Sequence, residues 1–381
     1  MYRHDHRIVL TLDAGGTNFV FSAIRGCEEL IAPVCLAAVT DDTAACLQVM
    51  VEGFSRVAEQ LDAPPVAISF AFPGPADYEH GIIGDLPNFP SFRGGVALGP
   101  FLAKRFGIPV FINNDGNLFA YGEALAGTLP AVNGLLAAHG CHRRYKNLIG
   151  ITLGTGFGAG VVIDGRLLTG DNGCGGDVWI MRNKKYPDLI AEESVSIRAV
   201  RRVYAERAHA DASGLTPKDI FDIAEGDRVG SQSAAIAAFE ELGEMAGAAL
   251  VNALNIVDGL VVIGGGVAGA AKYIMPGLLR EMRSRVGTFA GDSFHSLQMD
   301  VYNLTDAHEL AAFLEEHDDF VEVPMSGERV RYTRDKKIGV TVSALGASRA
   351  IALGAYTFAL ANMGANGVNS FNSKKMSKSE T

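Results

Sequence analysis

The sequence predicts an α/β protein built as two related lobes, and three observations carry that expectation. At 381 residues the chain is two to three times the usual domain of roughly 100 to 200 residues, so two cores are the natural arrangement. A pattern of apolar strand, glycine turn and second apolar strand occurs near the start and returns about a domain length later. One duplication accounts for this better than an array of short repeats with periods of roughly 20 to 50 residues. Elsewhere, short apolar runs alternate with stretches of helical periodicity, which is the pattern of a mixed α/β core.

Taken in order, residues 8–12 read as a strand, Asp13, Ala14, Gly15, Gly16, Thr17 and Asn18 as a turn, and residues 19–24 as its partner strand. Residues 66–71 and 110–112 are short buried strands, and 117–125 is a helix. Residues 128–147, with Pro130, Asn133, Gly134 and the basic pair Arg143 and Arg144, read as the crossing into the second lobe. The hairpin pattern then returns: a strand over 148–153, the turn Gly154-Thr155-Gly156-Phe157-Gly158, and a strand over 159–163. Residues 231–254 form an alanine-rich helix, and a strand over 259–263 leads into Gly264-Gly265-Gly266, with Pro276 interrupting the helix beyond. Residues 291–335 are more charged and read as an insertion, and the polar run 366–381 reads as a disordered tail.

Composition narrows the function classes. With 48% hydrophobic and 20% charged residues the chain can bury large cores, which excludes wholesale disorder. A net charge of −10 gives no electrostatic footprint for nucleic acid or an anionic membrane, so any phosphate partner must be held locally. The cysteines (Cys27, Cys35, Cys46, Cys141 and Cys174) are odd in number and free of any C-x-x-C pair, so a disulfide framework is not expected. The N-terminus carries too short an apolar run for a signal peptide, and the apolar stretch 350–365 is short and contains Asn362. A reducing cytoplasm is the expected setting. His139, Cys141 and His142 form a local cluster with metal-ligand chemistry, but their polar surroundings read as an exposed loop rather than a metal site.

Forty-five glycines stand well above the roughly 7% average, and three of the glycine clusters follow strands. Convergent backbone N–H groups bind phosphate without a lysine, provided no side chain intervenes. No Gly-Lys dipeptide occurs, which excludes a Walker A loop. Residues 264–269 match G-x-G-x-x-G, but no strand ending in an acidic residue follows at the distance a dinucleotide site requires. Asp13 stands in the first turn, where a carboxylate beside a triphosphate needs a cation between them; its alternative is a turn-stabilising side chain.

These residues together resemble the ROK family of sugar kinases and sugar-responsive repressors, within the actin, Hsp70 and sugar kinase superfamily. The resemblance spans roughly residues 8–362. It rests on Leu12-Asp13-Ala14-Gly15-Gly16-Thr17, on the segment from Phe72-Pro73-Gly74-Pro75 to Leu86-Pro87-Asn88, on Asn113-Asn114-Asp115-Gly116-Asn117, and on Thr152-Leu153-Gly154-Thr155-Gly156-Phe157-Gly158. The closing stretch 343–355 resembles the family's last strand and helix. The fold it implies is two RNase H-like (actin-like ATPase) lobes with an interlobe active-site cleft. The expected boundaries are 1–127 for the first lobe, completed by a returning helix over 348–365, and 128–347 for the second. The implied activity is ATP-dependent phosphorylation of a hexose hydroxyl, on glucose or an amino sugar, with Mg²⁺ and a homodimeric assembly. Asp13, Gly15, Gly16, Thr17 and Asn18, with Gly154, Thr155, Gly156 and Gly158, would clasp the ATP phosphates. Gly264, Gly265 and Gly266 would lie near the nucleoside, and Asp13 would hold Mg²⁺ through water.

Phosphorylating an alcohol needs a group that accepts the hydroxyl proton, and Asp115 has the chemistry and the position for it. Its alternative reading is a helix N-cap, since it follows a strand and precedes a helix. Asn114 and Asn88 would hydrogen-bond sugar hydroxyls. Further on, the match departs from the family. Where ROK kinases carry Gly-Glu-x-Gly-His and a cysteine-rich zinc loop, this chain has Gly176-Asp177-Val178-Trp179-Ile180 and no Cys or His over 176–192. The usual zinc site is therefore not expected. Asp177 would replace the family's sugar-binding glutamate with a side chain one methylene shorter, and Trp179 could stack on a sugar or lie in the core. Glu192 is a further sugar-binding residue by resemblance, with Glu193 as the alternative alignment and a solvated helix start as the plainer one. Only 12 residues precede Asp13, too few for a helix-turn-helix, so a repressor is not expected. A sugar-sensing protein without catalysis is the remaining alternative.

Overall fold

The structure, a computed structural model, describes residues 2–14, 17–74, 76–84, 92–317 and 319–365. The chain runs through β1 (Val9–Ala14), β2 (Asn18–Arg25), α1 (Thr43–Ala58), β3 (Ala67–Ala71), α2 (Leu98–Phe106), β4 (Val110–Asn113) and α3 (Asp115–Leu125). It continues with α4 (Thr128–Ala138), β5 (Leu148–Leu153), β6 (Phe157–Ile163), α5 (Ile197–Ala208), α6 (Pro217–Glu225) and α7 (Gln232–Val257). The remainder is β7 (Leu260–Gly264), α8 (Ala271–Met282), β8 (Asp300–Asn303), α9 (Ala307–Leu314), β9 (Lys337–Val342) and α10 (Ala347–Ala365). The chain divides into two compact units, one of 1–126, 169–174 and the residues from Ser348 on, the other of 127–168 and 175–347. The six residues 169–174 thus leave the contiguous second lobe expected from the sequence.

In the first unit the sheet order is β2-β1-β3-β4, with the short strands Glu28–Glu29 and Val34–Ala37 also paired to β2. β1 and β2 are antiparallel, while β1, β3 and β4 run parallel. The second unit repeats the plan in the order β6-β5-β7-β9-β8: β5 and β6 are antiparallel, and the other pairings are parallel. A hairpin followed by crossovers through helices produces this arrangement, because parallel neighbours cannot be joined by a tight turn. The duplicated strand, turn and strand of the sequence is therefore the same piece of each sheet.

Each unit has its own core. In the first, Phe19, Phe21, Phe54 and Phe70 are fully buried, with edge-to-face contacts at 6.3 Å (Phe19 to Phe21) and 5.0 Å (Phe21 to Phe54) between ring centroids. α10 closes this unit against α3 with no room for a Cβ at two glycines. A Cβ on Gly122 would lie 1.9 Å from the Ala350 carbonyl oxygen, and one on Gly354 would lie 1.8 Å from that of Leu118. Only glycine permits helices to approach so closely.

Three sequence expectations change. Residues 128–147 are not an open crossing: α4 occupies Thr128–Ala138, because Pro130 falls in its first turn, where no intrahelical N–H is needed. Pro276 does not interrupt its helix but sits inside α8, whose next residue, Gly277, packs so tightly on α7 that a Cβ would lie 2.2 Å from the Glu240 carbonyl oxygen. Tertiary packing there outweighs the hydrogen bond that proline removes. The charged stretch 291–335 is not a simple insertion either. It contains β8, an edge strand of the central sheet beside β9, and α9, which buries Phe313. Its polar residues occupy the outer side of an edge element, which makes the composition look detached from the core.

Candidate active site

In the first unit Asp13 pairs with Ala71, and Ala71 with Asn113, across the parallel strands β1, β3 and β4. The sheet therefore delivers Asp13 and the residues after β4 to one edge, the C-terminal ends of the strands, where α/β sheets bind ligands. Beyond β4 the chain turns at once into α3. Asn113 is buried, and its Oδ1 accepts from the Asn114 N–H (2.9 Å) and from Asn117 Nδ2 (2.9 Å). Asn114 is the N-cap: its Oδ1 accepts from the Asn117 N–H at 2.6 Å. This corrects the alternative reading of Asp115 as the cap. Asp115 is the first helical residue, exposed, with Oδ1 accepting from its neighbour's Gly116 N–H (2.8 Å). Since Asn114 takes the capping role, the Asp115 carboxylate is left to solvent and ligand. One acceptor position of Asn114 is committed to the helix, and among the described residues its Nδ2 has no acceptor.

Desolvation by the protein around Asp13 pushes its pKa above the ordinary carboxylate value, a hydrogen bond with the Ser348 side chain pulls it down, and the negative charge of Asp115 raises it again. Two carboxylates that repel one another at a sheet edge are a donor set that a cation relieves. Among the described residues, no group of three or more His, Cys, Asp or Glu could hold a metal alone. The arrangement fits Mg²⁺, which is held by one or two carboxylates with water and substrate phosphates. Thr17 and Asn18 lie at the start of β2, with the Thr17 carbonyl accepting from the Ala38 N–H (2.9 Å). Gly15, Gly16 and Asn88 lie outside the described residues.

In the second unit Gly154, Thr155 and Gly156 form the turn from β5 to β6, and Gly158 already lies in β6. β7 pairs alongside β5, with Gly264 opposite Thr152, so Gly264, Gly265 and Gly266 leave the same end of the sheet as this turn. Gly265 has a φ of +91°, and a Cβ there would lie 2.3 Å from the Leu153 carbonyl oxygen, so this position demands glycine. Gly154 and Gly266 face open space where a Cβ would stand, which leaves their backbone accessible to a ligand. Glu192 is half-buried and turned to the glycine turn: its Oε2 accepts from the Phe157 N–H at 3.0 Å, and its Oε1 accepts from Arg198 Nη2 at 3.2 Å. Glu193 is exposed and shares the same guanidinium at 3.3 Å. Asp177 is exposed at the start of the short turn Val178–Ile180 and makes no capping bond. Trp179 is 38% exposed, so it is not a core residue.

Sequence reasoning missed Asn113, Ser348 and Arg198. Asn113 stood within the Asn-Asn-Asp-Gly-Asn run and could have been found there; Ser348 and Arg198 carry no local signal. In the cluster of His139, Cys141 and His142 both histidines are exposed, as the sequence predicts, but Cys141 is buried and its thiol donates to the Leu314 carbonyl at 2.9 Å. Asn133 pins the segment by accepting from the Tyr145 N–H and donating to the Tyr145 carbonyl.

The ROK family profile matches residues 9–304, well over half of the sequence. The chain belongs to the ROK family. Among proteins of known structure, a glucokinase from Parabacteroides distasonis is 61% identical, with a TM-score of 0.86 over 95% of this chain and 99% of that one. A Thermotoga maritima protein named glucokinase is 30% identical over 313 residues, 74% of this chain and 90% of its own. A ROK hexokinase from Thermus thermophilus shares the fold at a TM-score of 0.65 and 19% identity, covering 93% of this chain and 99% of that one. The ROK fold is that of the actin-like ATPases, in keeping with the repeated sheet plan of the two units. Among the described residues, no helix is long and apolar enough to cross a membrane.

Proposed function

We propose that this ROK protein is an ATP-dependent sugar kinase of the glucokinase type, transferring the terminal phosphoryl group of ATP to a hydroxyl of glucose or an amino sugar. The observation that carries the reading is Asp115: a carboxylate released from capping duty by Asn114, exposed at the sheet edge that also presents Asp13. The 61% identity to a protein named glucokinase over nearly the whole chain supports it.

Asp115 is the general base, accepting the proton of the attacking hydroxyl as the new O–P bond forms. Asn114, through its side-chain amide N–H, and Asn88 orient the sugar, and Asp177 accepts from its hydroxyls. The backbone of the turn with Gly154, Thr155, Gly156 and Gly158 receives phosphate oxygens, as do Gly15, Gly16, Thr17 and Asn18, while Gly264, Gly265 and Gly266 border the nucleoside. Asp13 would hold Mg²⁺ through water, and the ion when bound neutralises charge on the phosphates. A homodimer in the cytoplasm completes the proposal.

The test is an ADP-release assay across hexoses and amino sugars with the Asp115→Asn variant alongside. Sugar-dependent ADP release by the wild type, lost by at least ~10² in kcat in Asp115→Asn with sugar binding kept, is the expected result. The departure from the family at Asp177 favours one second reading, a sugar-responsive protein without catalysis. Sugar binding with no ADP release from the wild type would establish that instead.

A further inference from the structure

Residues 181–191, which lead from Asp177 to Glu192, fold back on themselves as a small loop. The Ala191 N–H donates to the Met181 carbonyl (2.7 Å), the Asn183 N–H to that of Leu189 (2.9 Å), and the Leu189 N–H to that of Tyr186 (2.8 Å). Within 181–190 only Asn183 is buried, at 2% exposure, whereas Leu189 is 48% exposed and Pro187 and Asp188 lie in solvent. The loop therefore has no apolar interior, and backbone pairing with one side-chain amide holds it.

That amide is bonded at every position it has. Asn183 Oδ1 accepts from the Lys185 N–H (3.0 Å) and the Tyr186 N–H (3.0 Å), while Nδ2 donates to the Ile190 carbonyl (3.2 Å) and to Ser194 Oγ (2.8 Å). Two lone pairs and two N–H donors are the full capacity of the side chain. Ser194 is buried too, and its N–H donates to the Ala191 carbonyl (3.0 Å), closing the turn Ala191–Glu193. Glu192 projects from that turn. The bonds it accepts from Phe157 and Arg198 take one lone pair on each oxygen and leave the others for a ligand hydroxyl. At the other end the Met181 N–H donates to the Val178 carbonyl (3.1 Å), which ties the short turn after Asp177 to the same loop. Lys184 and Lys185 anchor the loop on α8 and α7, through Glu281 (2.6 Å) and the buried Glu241 (2.8 Å).

This is the stretch in which ROK kinases carry their zinc loop, and the residues here do not fit zinc. No Cys or His occurs over 176–192, and among the described residues no group of three or more His, Cys, Asp or Glu could hold a metal. We propose that Asn183 takes the place of the metal as a positioning residue: its side-chain amide fixes the loop whose two ends present Asp177 and Glu192 to the sugar. The proposal rests on the kinase reading for the identity of that ligand. Removing the amide leaves the Lys185 and Tyr186 N–H groups and the Ser194 hydroxyl without their partner inside the loop, so both ends lose their shared tie.

Full-length wild type, Asn183→Ala, Ser194→Ala and the double variant are compared by calorimetric binding of glucose and, separately, of a non-hydrolysable ATP analogue. Hydrogen exchange over 181–194 is read by mass spectrometry alongside. Asn183→Ala is expected to weaken glucose by roughly tenfold or more, the scale of one charge-assisted hydrogen bond from a displaced carboxylate, with analogue affinity unchanged. Ser194→Ala should weaken glucose by roughly threefold or more, and the double variant should be no worse than Asn183→Ala, because the two side chains act through one bond. Treatment of the wild type with a chelator should change none of these values. Glucose affinity kept in a folded Asn183→Ala, glucose and analogue weakened together, or glucose affinity lost on chelation would each overturn the proposal. If Asn183→Ala does not fold, Ser194→Ala carries the same test, and unchanged glucose affinity there overturns it. Should the wild type bind glucose but release no ADP while the variants respond as stated, the kinase reading fails and the positioning role stands. Should no hexose bind, the kinase reading fails, and the loop is judged by exchange alone: Asn183→Ala should lose protection over 181–194, and a wild-type pattern there overturns the proposal.

Discussion

At the scale of single residues, the site divides work between neighbours that the sequence presents as equals. Asn114 and Asp115 are both good caps, and which one caps is decided by where β4 stops and α3 starts, a boundary that local pattern does not resolve to one residue. The Asn-Asp-x-Asn context made the run legible as a site; the split of roles inside it became visible only with the backbone. Asp177 was legible as a departure from the family, and its exposure leaves its carboxylate free for a hydroxyl. Asp177→Ala should weaken glucose binding by roughly tenfold or more if it accepts one such bond, while leaving nucleotide affinity without sugar unchanged; titration calorimetry reads both. The cysteines give a prediction of another kind. Cys35 and Cys174 are exposed, whereas Cys46 is fully buried and burial pushes its thiol up to about 11 from 9.0. Alkylation of the native protein at pH 8 should label Cys35 and Cys174 and spare Cys46. Because the unfolded thiol ionises near its ordinary value and the folded one does not, stability from this group is intact below pH 9. It falls as pH rises from 9 towards 11, by at most about 1.4 kcal/mol per unit. Denaturant midpoints across that range should decline more in wild type than in Cys46→Ala.

At the scale of elements, glycine carries packing as well as ligand approach. The contact of α3 with α10 leaves no room at Gly122 or Gly354 for even a methyl group. Gly122→Ala or Gly354→Ala should cost at least the ~1 to 3 kcal/mol of an overpacked core, lowering Tm by roughly 2 to 4 °C per kcal/mol, measurable by calorimetry. The paired hairpins were readable because apolar strands flank glycine turns twice at matching positions. The regions misread share one cause. Pro130, Gly134 and Pro276 are punctuation in isolation, yet the first falls in a first turn and the other two sit in helices that tertiary contacts sustain. In 291–335 only a few inward side chains, among them Val301 and Phe313, tie β8 and α9 to the core, too sparse a signal among charges. The expectation that this stretch is an insertion takes a narrower form. Replacing the exposed hairpin Asp319–Glu322 and Arg329–Tyr332 with a short linker should preserve the fold, while deleting 300–314 should abolish it. Circular dichroism melts of the two deletions distinguish these outcomes.

At the scale of the whole molecule, two units with separate cores give no reason to expect a single cooperative transition. Thermal unfolding followed by calorimetry should resolve into two components, and truncation after residue 347 should remove the one that belongs to the first unit while sparing the other. That truncation works because α10 belongs to the unit that begins the chain, with nearly the whole second unit lying between. On the ribosome this arrangement imposes a waiting time. Residues 1–126 emerge first but lack their closing helix until some two hundred further residues have been made, roughly ten to fifty seconds at ordinary translation speeds. Throughout that interval the backbone stripe around Leu118 and Gly122 has no partner, and the second unit can close while the first stays open. The lobe made first is the one finished last, so nascent-chain proteolysis should find 1–126 sensitive until α10 has left the exit tunnel.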